Sequence, residues 1–314
     1  MDARLRGFGV RLGWHELPAR VRHDLDLLVG APIVHAEDQA GGFSPGVAAR
    51  VVLDDGRRLF VKAVGEELNA LAPELYRQEA SVARLLPRAV PAPRLEATYD
   101  EAGWVALVFE DVEGRAPALP WEDADLERVV AAVEALSATL SPSPVPAPTL
   151  AEHADGFAGF SRLRAEDDHA ALDPWIARHL DRLCEAHEAW PNATRGDTLL
   201  HLDIRADNIL LTEDAVVFVD WPHARVGAPW IDLLYMLPSV AMQGGRSPAE
   251  LFAQSSLANT ARDEDVTVAL AGFAGLMIDR GRLPDPPGLP TLRHFQRAQA
   301  GHAVRWLRER TGWR

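Results

Sequence analysis

A chain of 314 residues with 47% hydrophobic and 25% charged residues is long enough for two lobes around a sizeable core. Its formal net charge of -14 and isoelectric point of about 5.2 argue against a nucleic-acid or anionic-membrane partner, since both would repel it. A single cysteine, Cys184, excludes an internal disulfide and a cysteine-built metal site.

No apolar run approaches the roughly 18 residues that suggest a membrane span. The segment Met1 to Arg6 lacks the apolar core of a signal peptide, so a cytoplasmic protein is expected. Residues 16–29 follow an amphipathic helical pattern closed by Gly30. Pro32 to Ala36 reads as a strand. Gly41-Gly42-Phe43-Ser44-Pro45-Gly46 is a Gly-rich turn leading into a second strand at 47–53. Asp54-Asp55-Gly56 closes a hairpin, because Asp-Gly adopts the tight turns that match strand twist. The third strand, Arg58 to Val64, carries Lys62 among apolar neighbours.

The backbone N–H groups of the Gly-rich turn and the Ser44 hydroxyl suit a phosphate. The pattern matches neither a protein-kinase Gly loop nor a Walker loop, and a plain hairpin turn would look the same. Lys62 is the only lysine; every other basic residue of this kind is arginine. Retention of a compact ammonium against that background points to a site that needs one, chance retention being the plain alternative.

Pro73 to Leu86 predicts a helix with proline in its first turn. Leu75, Val82 and Leu86 share one face, and Glu79 falls in the same stripe. A carboxylate there needs a cation or a route to solvent; Lys62 is the candidate cation. Trp104 to Glu110 reads as a buried strand, and Asp111 to Pro117 as an irregular connector between lobes. The expected division is an N-lobe of residues 1–110 and a C-lobe of residues 111–314. The backbone at Glu110 and Val112 is expected to meet a nucleobase edge. Phe109 stands behind it, a bulk that would narrow an adenine site and favour GTP.

The remainder reads as mainly helical. A helix spans Trp121 to Leu140, a stiff Pro-rich joint covers 141–148, and a capping box follows at Thr149–Glu152. Further helices run from Asp173-Pro174 to about Trp190, from Trp230 to Met242, near 262–281 and near 291–311, with a second capping box at Ser247–Glu250.

The chemistry concentrates in Leu199–Leu211 and Ala215–Trp221. Apolar runs frame His201, Asp203, Asn208 and Asp220, polar groups that are costly to bury unless something charged meets them. His-x-Asp, an Asn five residues after that Asp, and an Asp closing an apolar strand match the catalytic loop and metal-binding strand of a phosphoryl-transfer enzyme.

With these pieces in line, the chain resembles the aminoglycoside phosphotransferase family of small-molecule kinases from the Gly-rich turn to Asp232. The resemblance rests on His201 to Asn208 followed by Asp220-Trp221-Pro222. It rests also on Gly227-Ala228-Pro229-Trp230-Ile231-Asp232-Leu233, similar to the family's Gly-x-Pro-x-x-Asp-Leu. No Ala-Pro-Glu signature follows, which argues against a protein kinase. The resemblance implies an α+β, protein-kinase-like bilobal fold, with a β-rich N-lobe containing one key helix and a mainly helical C-lobe.

It also implies roles. Asp203 would accept or orient the proton of the acceptor hydroxyl. Asn208 and Asp220 would bind Mg2+, and Lys62, held by Glu79, would contact the α- and β-phosphates of ATP or GTP. His201 and Asp232 would brace the loop. Arg205 departs from the family's most frequent residue; two positions after Asp203, it is a candidate to stabilise charge on the transferring group. Asp207 either approaches the acceptor or caps a turn.

The acceptor would be a hydroxylated small molecule. It could be an antibiotic of the aminoglycoside, nucleoside or macrolide type, or a metabolite such as a sugar or amino alcohol. Asp155, Asp167 and Asp168 are candidate contacts, or simply a solvated face. A non-catalytic nucleotide-binding regulator is the reading from another class; the joint presence of Lys62, Glu79, Asp203, Asn208 and Asp220 disfavours it.

Overall fold

Apolar runs in the central strands and mixed apolar and polar residues at the edges build one antiparallel sheet from β1 (Ile33–Asp38), β2 (Val47–Leu53), β3 (Arg58–Gly65), β4 (Leu95–Glu101) and β5 (Trp104–Glu110). Their spatial order is β1-β2-β3-β5-β4. The computed structural model describes residues 9–166 and 172–314, so Asp167 and Asp168 lie outside the described residues. The two-residue period gives β3 two faces. Leu59, Val61 and Ala63 enter a core closed by Trp14 and by Val21 and Leu25 of α1 (Ala19–Val29). Val64, on the face of Lys62, packs with Tyr76, Ala80 and Ala83 of α2 (Ala72–Ala83) and with Leu107 and Phe109.

Helix α1 starts later than the pattern at 16–29 suggested. Proline has no N–H to give, so Pro18 stands at the N-cap and Trp14–Glu16 forms a separate 3-10 turn. Gly30 ends the helix at φ 79°, in the left-handed region that a residue without Cβ enters freely. Strand β4 was not foreseen. Its Leu95, Ala97 and Tyr99 alternate, but only Tyr99 is buried, so its apolar signal is thin.

The segment after α2 leaves the sheet. Leu86, Val90 and Ala92 join the C-lobe core together with Val82 of the helix, and the Pro91 carbonyl accepts the Phe218 N–H at 2.8 Å. Helix α2 therefore rests on the sheet at one end and on the C-lobe at the other. The connector at 111–117 is fixed by ion pairs. Asp111 meets Arg50 at 3.4 Å and Arg58 at 3.0 Å, and Arg115 forks onto Asp125 at 2.7 Å.

The C-lobe is built from α3 (Asp123–Thr139), α4 (Gly159–Arg164), α5 (Pro174–Ala193), α6 (Ile231–Met242), α7 (Pro248–Gln254), α8 (Asp263–Gly281) and α9 (Leu292–Thr311). The Thr149–Glu152 box closes, with Glu152 accepting the Thr149 N–H at 2.6 Å. The Ser247 box does not: the Ser247 side chain makes no capping bond, and Pro248 sets the start of α7. Helices α4 and α8 approach so closely that a Cβ on Gly159 would lie 2.0 Å from the Gly275 carbonyl. Helix α6 is buried almost throughout. Among the described residues no helix is long and apolar enough to cross a membrane.

Candidate active site

Two short antiparallel ladders frame the catalytic segment: β6 (Thr198–Leu200) pairs with β9 (Arg225–Gly227), and β7 (Ile209–Leu211) with β8 (Val216–Phe218). Most of their apolar residues are buried, Leu210 and Val226 only in part, and the polar residues between them emerge at the ladder ends. Asp232, in the first turn of α6, accepts the N–H of His201 at 2.8 Å and of Leu202 at 2.7 Å. Those bonds help hold Leu202 at φ 64°, a conformation that leucine rarely adopts. Burial pushes the Asp232 carboxyl up to about 6, against the pull of the two donors.

His201 Nδ1 accepts the Asp203 N–H at 3.2 Å, so the ring proton is assigned to Nε2, which donates to the Val219 carbonyl at 2.9 Å. Burial lowers its pKa to about 4, and the ring stays neutral against Trp221, with centroids 4.5 Å apart. His201 and Asp232 thus brace the loop backbone.

Asp203 is held from two sides. Asn208 Nδ2 donates to its carbonyl at 2.8 Å and to Oδ2 at 3.0 Å, while Arg205 Nη1 donates to Oδ1. Burial raises the Asp203 carboxyl, and the guanidinium opposes that rise. Arg205 also forks onto Asp207, with Nε and Nη2 each at 3.0 Å. Burial works against its charge, but Asp203 and Asp207 outweigh burial and raise its pKa. Asp207 is thus the anchor of Arg205 rather than a turn cap. The guanidinium lies 5.2 Å from the Phe43 ring and 5.6 Å from the Phe295 ring.

Across the cleft, the Lys62 ammonium forms ion pairs with both Glu79 and Asp220. It also lies 5.2 Å from the Tyr76 ring and 5.8 Å from the Phe109 ring. Burial works against the ammonium, yet Asp220 and Glu79 together raise its pKa. One cation faces two carboxylates, and the more exposed carboxylate keeps its charge. Burial pushes Glu79 up to about 7 in spite of Lys62; burial also opposes the Asp220 charge, but Lys62 holds that group at about 2. Asp220 sits at φ 73°, a second left-handed non-glycine in the site. On α2 Glu79 is buried with Val82, and Leu86 just beyond the helix is buried too, as the stripe predicted, whereas Leu75 is only half-buried and Tyr76, Ala80 and Ala83 carry the contact with the sheet.

A cavity of about 1120 Å³ opens between the sheet and the loop, lined by Gly42, Ser44, Lys62, Val112, Asn208 and Asp220 among others. The Gly-rich turn lies against β3 because Gly46 has no Cβ, which would fall 2.2 Å from the Ala63 carbonyl. The Ser44 hydroxyl shares a hydrogen bond with the Tyr76 hydroxyl at 2.9 Å. Two of the backbone edges expected to meet a base already have internal partners. The Glu110 N–H donates to the Arg94 carbonyl at 2.9 Å, and the Val112 carbonyl accepts from Arg50 at 3.0 Å. The Val112 N–H has no acceptor among the described residues.

Asn208 turns its amide nitrogen to Asp203, which leaves its amide oxygen without a donor among the described residues. That oxygen and the Asp220 carboxylate are hard ligands suited to Mg2+. No group of three or more His, Cys, Asp or Glu among the described residues forms a metal cluster, so a cation held by Asn208 and Asp220 would complete its shell with water or with oxygens of a bound ligand. Asp155 is exposed on the 3-10 turn Ala151–Phe157. Tyr76, Phe43 and Phe295 belong to the site and were not singled out in the sequence. An aromatic in the Gly-rich turn was the available signal for one of them.

Residues 40–266 match the sequence model of the phosphotransferase enzyme family. Among solved structures, a thermostable mutant of aminoglycoside phosphotransferase APH(4)-Ia in ternary complex with AMP-PNP and hygromycin B is 13% identical. It has a TM-score of 0.63 and covers 94% of this chain and 100% of that one. Choline kinase LicA from Streptococcus pneumoniae is 12% identical with a TM-score of 0.58, covering 91% and 98%. A choline/ethanolamine kinase family protein from Mesorhizobium loti is 17% identical with a TM-score of 0.60, covering 92% and 94%. At these identities the likeness establishes the fold, which is α+β, bilobal and protein-kinase-like. No curated protein sequence matches the chain.

Proposed function

The chain belongs to the phosphotransferase enzyme family and is a kinase of small-molecule hydroxyl groups; from that premise we propose a specific reaction. The γ-phosphate of ATP or GTP passes, with Mg2+, to a hydroxyl of an antibiotic, aminoglycoside, nucleoside or similar, and inactivates it. The observation that carries this reading is the convergence of Lys62, Asp220 and Asn208 on one cleft, with Asp203 bonded to Asn208.

Residues 1–110 form the nucleotide-binding lobe in this reading, and residues 111–314 the lobe of catalysis and acceptor binding. Lys62, steadied by Glu79, binds the α- and β-phosphates. The Val112 N–H and the Glu110 carbonyl meet the base, and Ser44 and the turn amides lie over the phosphates. Asn208 and Asp220 hold Mg2+, which when bound neutralises phosphate charge. Asp203 takes the hydroxyl proton as the acceptor oxygen bonds to the γ-phosphorus. The bond from that phosphorus to the bridging oxygen breaks, and the nucleoside diphosphate leaves. Arg205 adds positive potential beside Asp203. Phe109 behind the base edge supports a preference for GTP.

The test is a panel of hydroxylated antibiotics and metabolites incubated with the protein, Mg2+ and either ATP or GTP, read by the gain of one phosphoryl mass. A phosphorylated antibiotic, lost in Asp203→Asn, is expected. Product from a sugar or amino alcohol alone moves the acceptor to the metabolite class, the reading that the choline kinase likeness favours. A large advantage of ATP removes the GTP preference. Transfer that survives Asp203→Asn unchanged overturns the assignment of the base.

A further inference from the structure

The Gly-rich turn and the last helix meet over the catalytic loop at a single guanidinium. We propose that Arg205 is a positioning residue. Clamped between Phe43 of the turn and Phe295 of α9 and gripped by Asp207, it fixes the Asp203 carboxylate, so that the turn and α9 set the rate of transfer through it. The inference rests on Asp203 being the proton acceptor proposed above.

A carboxylate turns easily about its last torsion, whereas proton transfer during an in-line attack tolerates little misplacement. Asn208 fixes one oxygen of Asp203 and Arg205 the other. A free arginine would be a poor clamp, because its long side chain has many rotamers to lose. Here those rotamers are removed by packing. All three guanidinium nitrogens donate to Asp203 or Asp207. Phe43 and Phe295 both stack within cation–π range, and the side chain is only 14% exposed. The two rings meet edge to face, with centroids 5.2 Å apart at 75°.

The rings are themselves anchored. Phe295 is buried on α9. Phe43 is presented by a turn tied down on both flanks. On one side the Gly41 carbonyl accepts from Arg11 Nε at 2.7 Å. On the other, Pro45 abuts Gly288, where a Cβ would lie 2.7 Å from the Pro45 Cβ. The Gly288 carbonyl in turn accepts the Val10 N–H at 2.8 Å. The turn beside the cleft and the carboxylate on the loop are therefore joined by one side chain.

The experiment measures Mg2+-dependent hydrolysis of ATP and GTP without acceptor, water serving as the attacking hydroxyl. Arg205→Met should lower kcat about 100-fold and leave KM for the nucleotide within about twofold. Arg205→Lys, which keeps the charge but not the fork, should recover about tenfold of that loss. Phe295→Leu should lower kcat about fivefold in the wild-type background and not at all in Arg205→Met, because both changes act through one group. Phe43→Leu, on a half-buried turn residue outside α9, repeats the cycle without disturbing that helix.

Equal factors in both backgrounds would make the aromatics plain packing and overturn the clamp, as would an Arg205→Met enzyme with wild-type kcat. Asp203→Asn separates the two levels. If it hydrolyses nucleotide at the wild-type rate, the proposed base is wrong; if it is inactive while Arg205→Met is unaffected, the clamp alone has failed.

Discussion

Two charge networks face each other across the cleft, and they are assembled in opposite ways. Asp203, Arg205, Asp207 and Asn208 lie in one loop, and within it every charged group finds a partner. Lys62, Glu79 and Asp220 come from three separate elements, with 158 positions between the lysine and Asp220. In both networks one cation answers two carboxylates, but in the trio one of those carboxylates, Glu79, is buried and pushed up to about 7. The loop is organised by its own side chains. The long-range trio depends on how the lobes meet and opens onto the cleft, where a divalent cation would bring the positive charge that two carboxylates lack.

The largest effect should come from breaking the long-range trio. Lys62→Met leaves Glu79 and Asp220 facing each other without a cation, and denaturant unfolding should show a loss of about 3 kcal/mol. That is the low end for a buried pair, because the Asp220 side chain is 43% exposed and partly screened. A loss equal to that of Arg205→Met would mean that the two networks do not differ in this way.

A smaller effect should follow at the loop. Asp232→Asn keeps the shape but turns an amide NH2 toward one of two backbone donors, and it should cost about 1–3 kcal/mol in the same measurement. Full stability would show that the loop holds itself without α6.

The smallest effect is a slope with pH. Burial raises Glu79 to about 7 from its ordinary 4.5, so over that window the native state keeps a proton that the unfolded chain has released. Stability therefore falls as pH rises through the window. Asp232, raised to about 6, acts in the same direction. Asp220, lowered from 3.8 to about 2, acts oppositely: its contribution is present above 3.8 and is lost as pH falls toward 2. His201, lowered from 6.5 to about 4 by burial, opposes both raised carboxyls, because the unfolded ring takes up a proton that the native ring does not. Relative to the wild type, Glu79→Gln should raise the unfolding midpoint at about pH 8 against that at about pH 5, the remaining slope being the balance of Asp232 and the buried histidine. An unchanged slope would remove Glu79 as its source.

These networks were legible in the sequence to different degrees, for physical reasons. The lone lysine in an apolar strand and the Glu in an apolar helical stripe each posed a burial problem that a charged partner or a route to solvent solves, and each offered the other a partner. Asp203, Asn208 and Asp220 stood at a spacing framed by apolar runs. By contrast, Phe295 carried no signal within the helix expected near 291–311, because nothing local tells which loop a distant ring will cover. Tyr76 is buried and Leu75 only half-buried, a difference that the apolar spacing alone does not settle, since either fits the edge of the same stripe. The backbone edges of Glu110 and Val112 were partly taken by Arg94 and Arg50, contacts that no periodicity announces. Strand β4 was missed since half-exposed strands carry little apolar contrast.

The solitary lysine has one more consequence. A protease that cuts only after lysine finds a single bond in this chain, between Lys62 and Ala63, in the middle of a strand paired on both edges. Scission there requires the sheet to come apart, so the appearance of two fragments is a direct clock for opening of the N-lobe, and anything that grips the ammonium slows it.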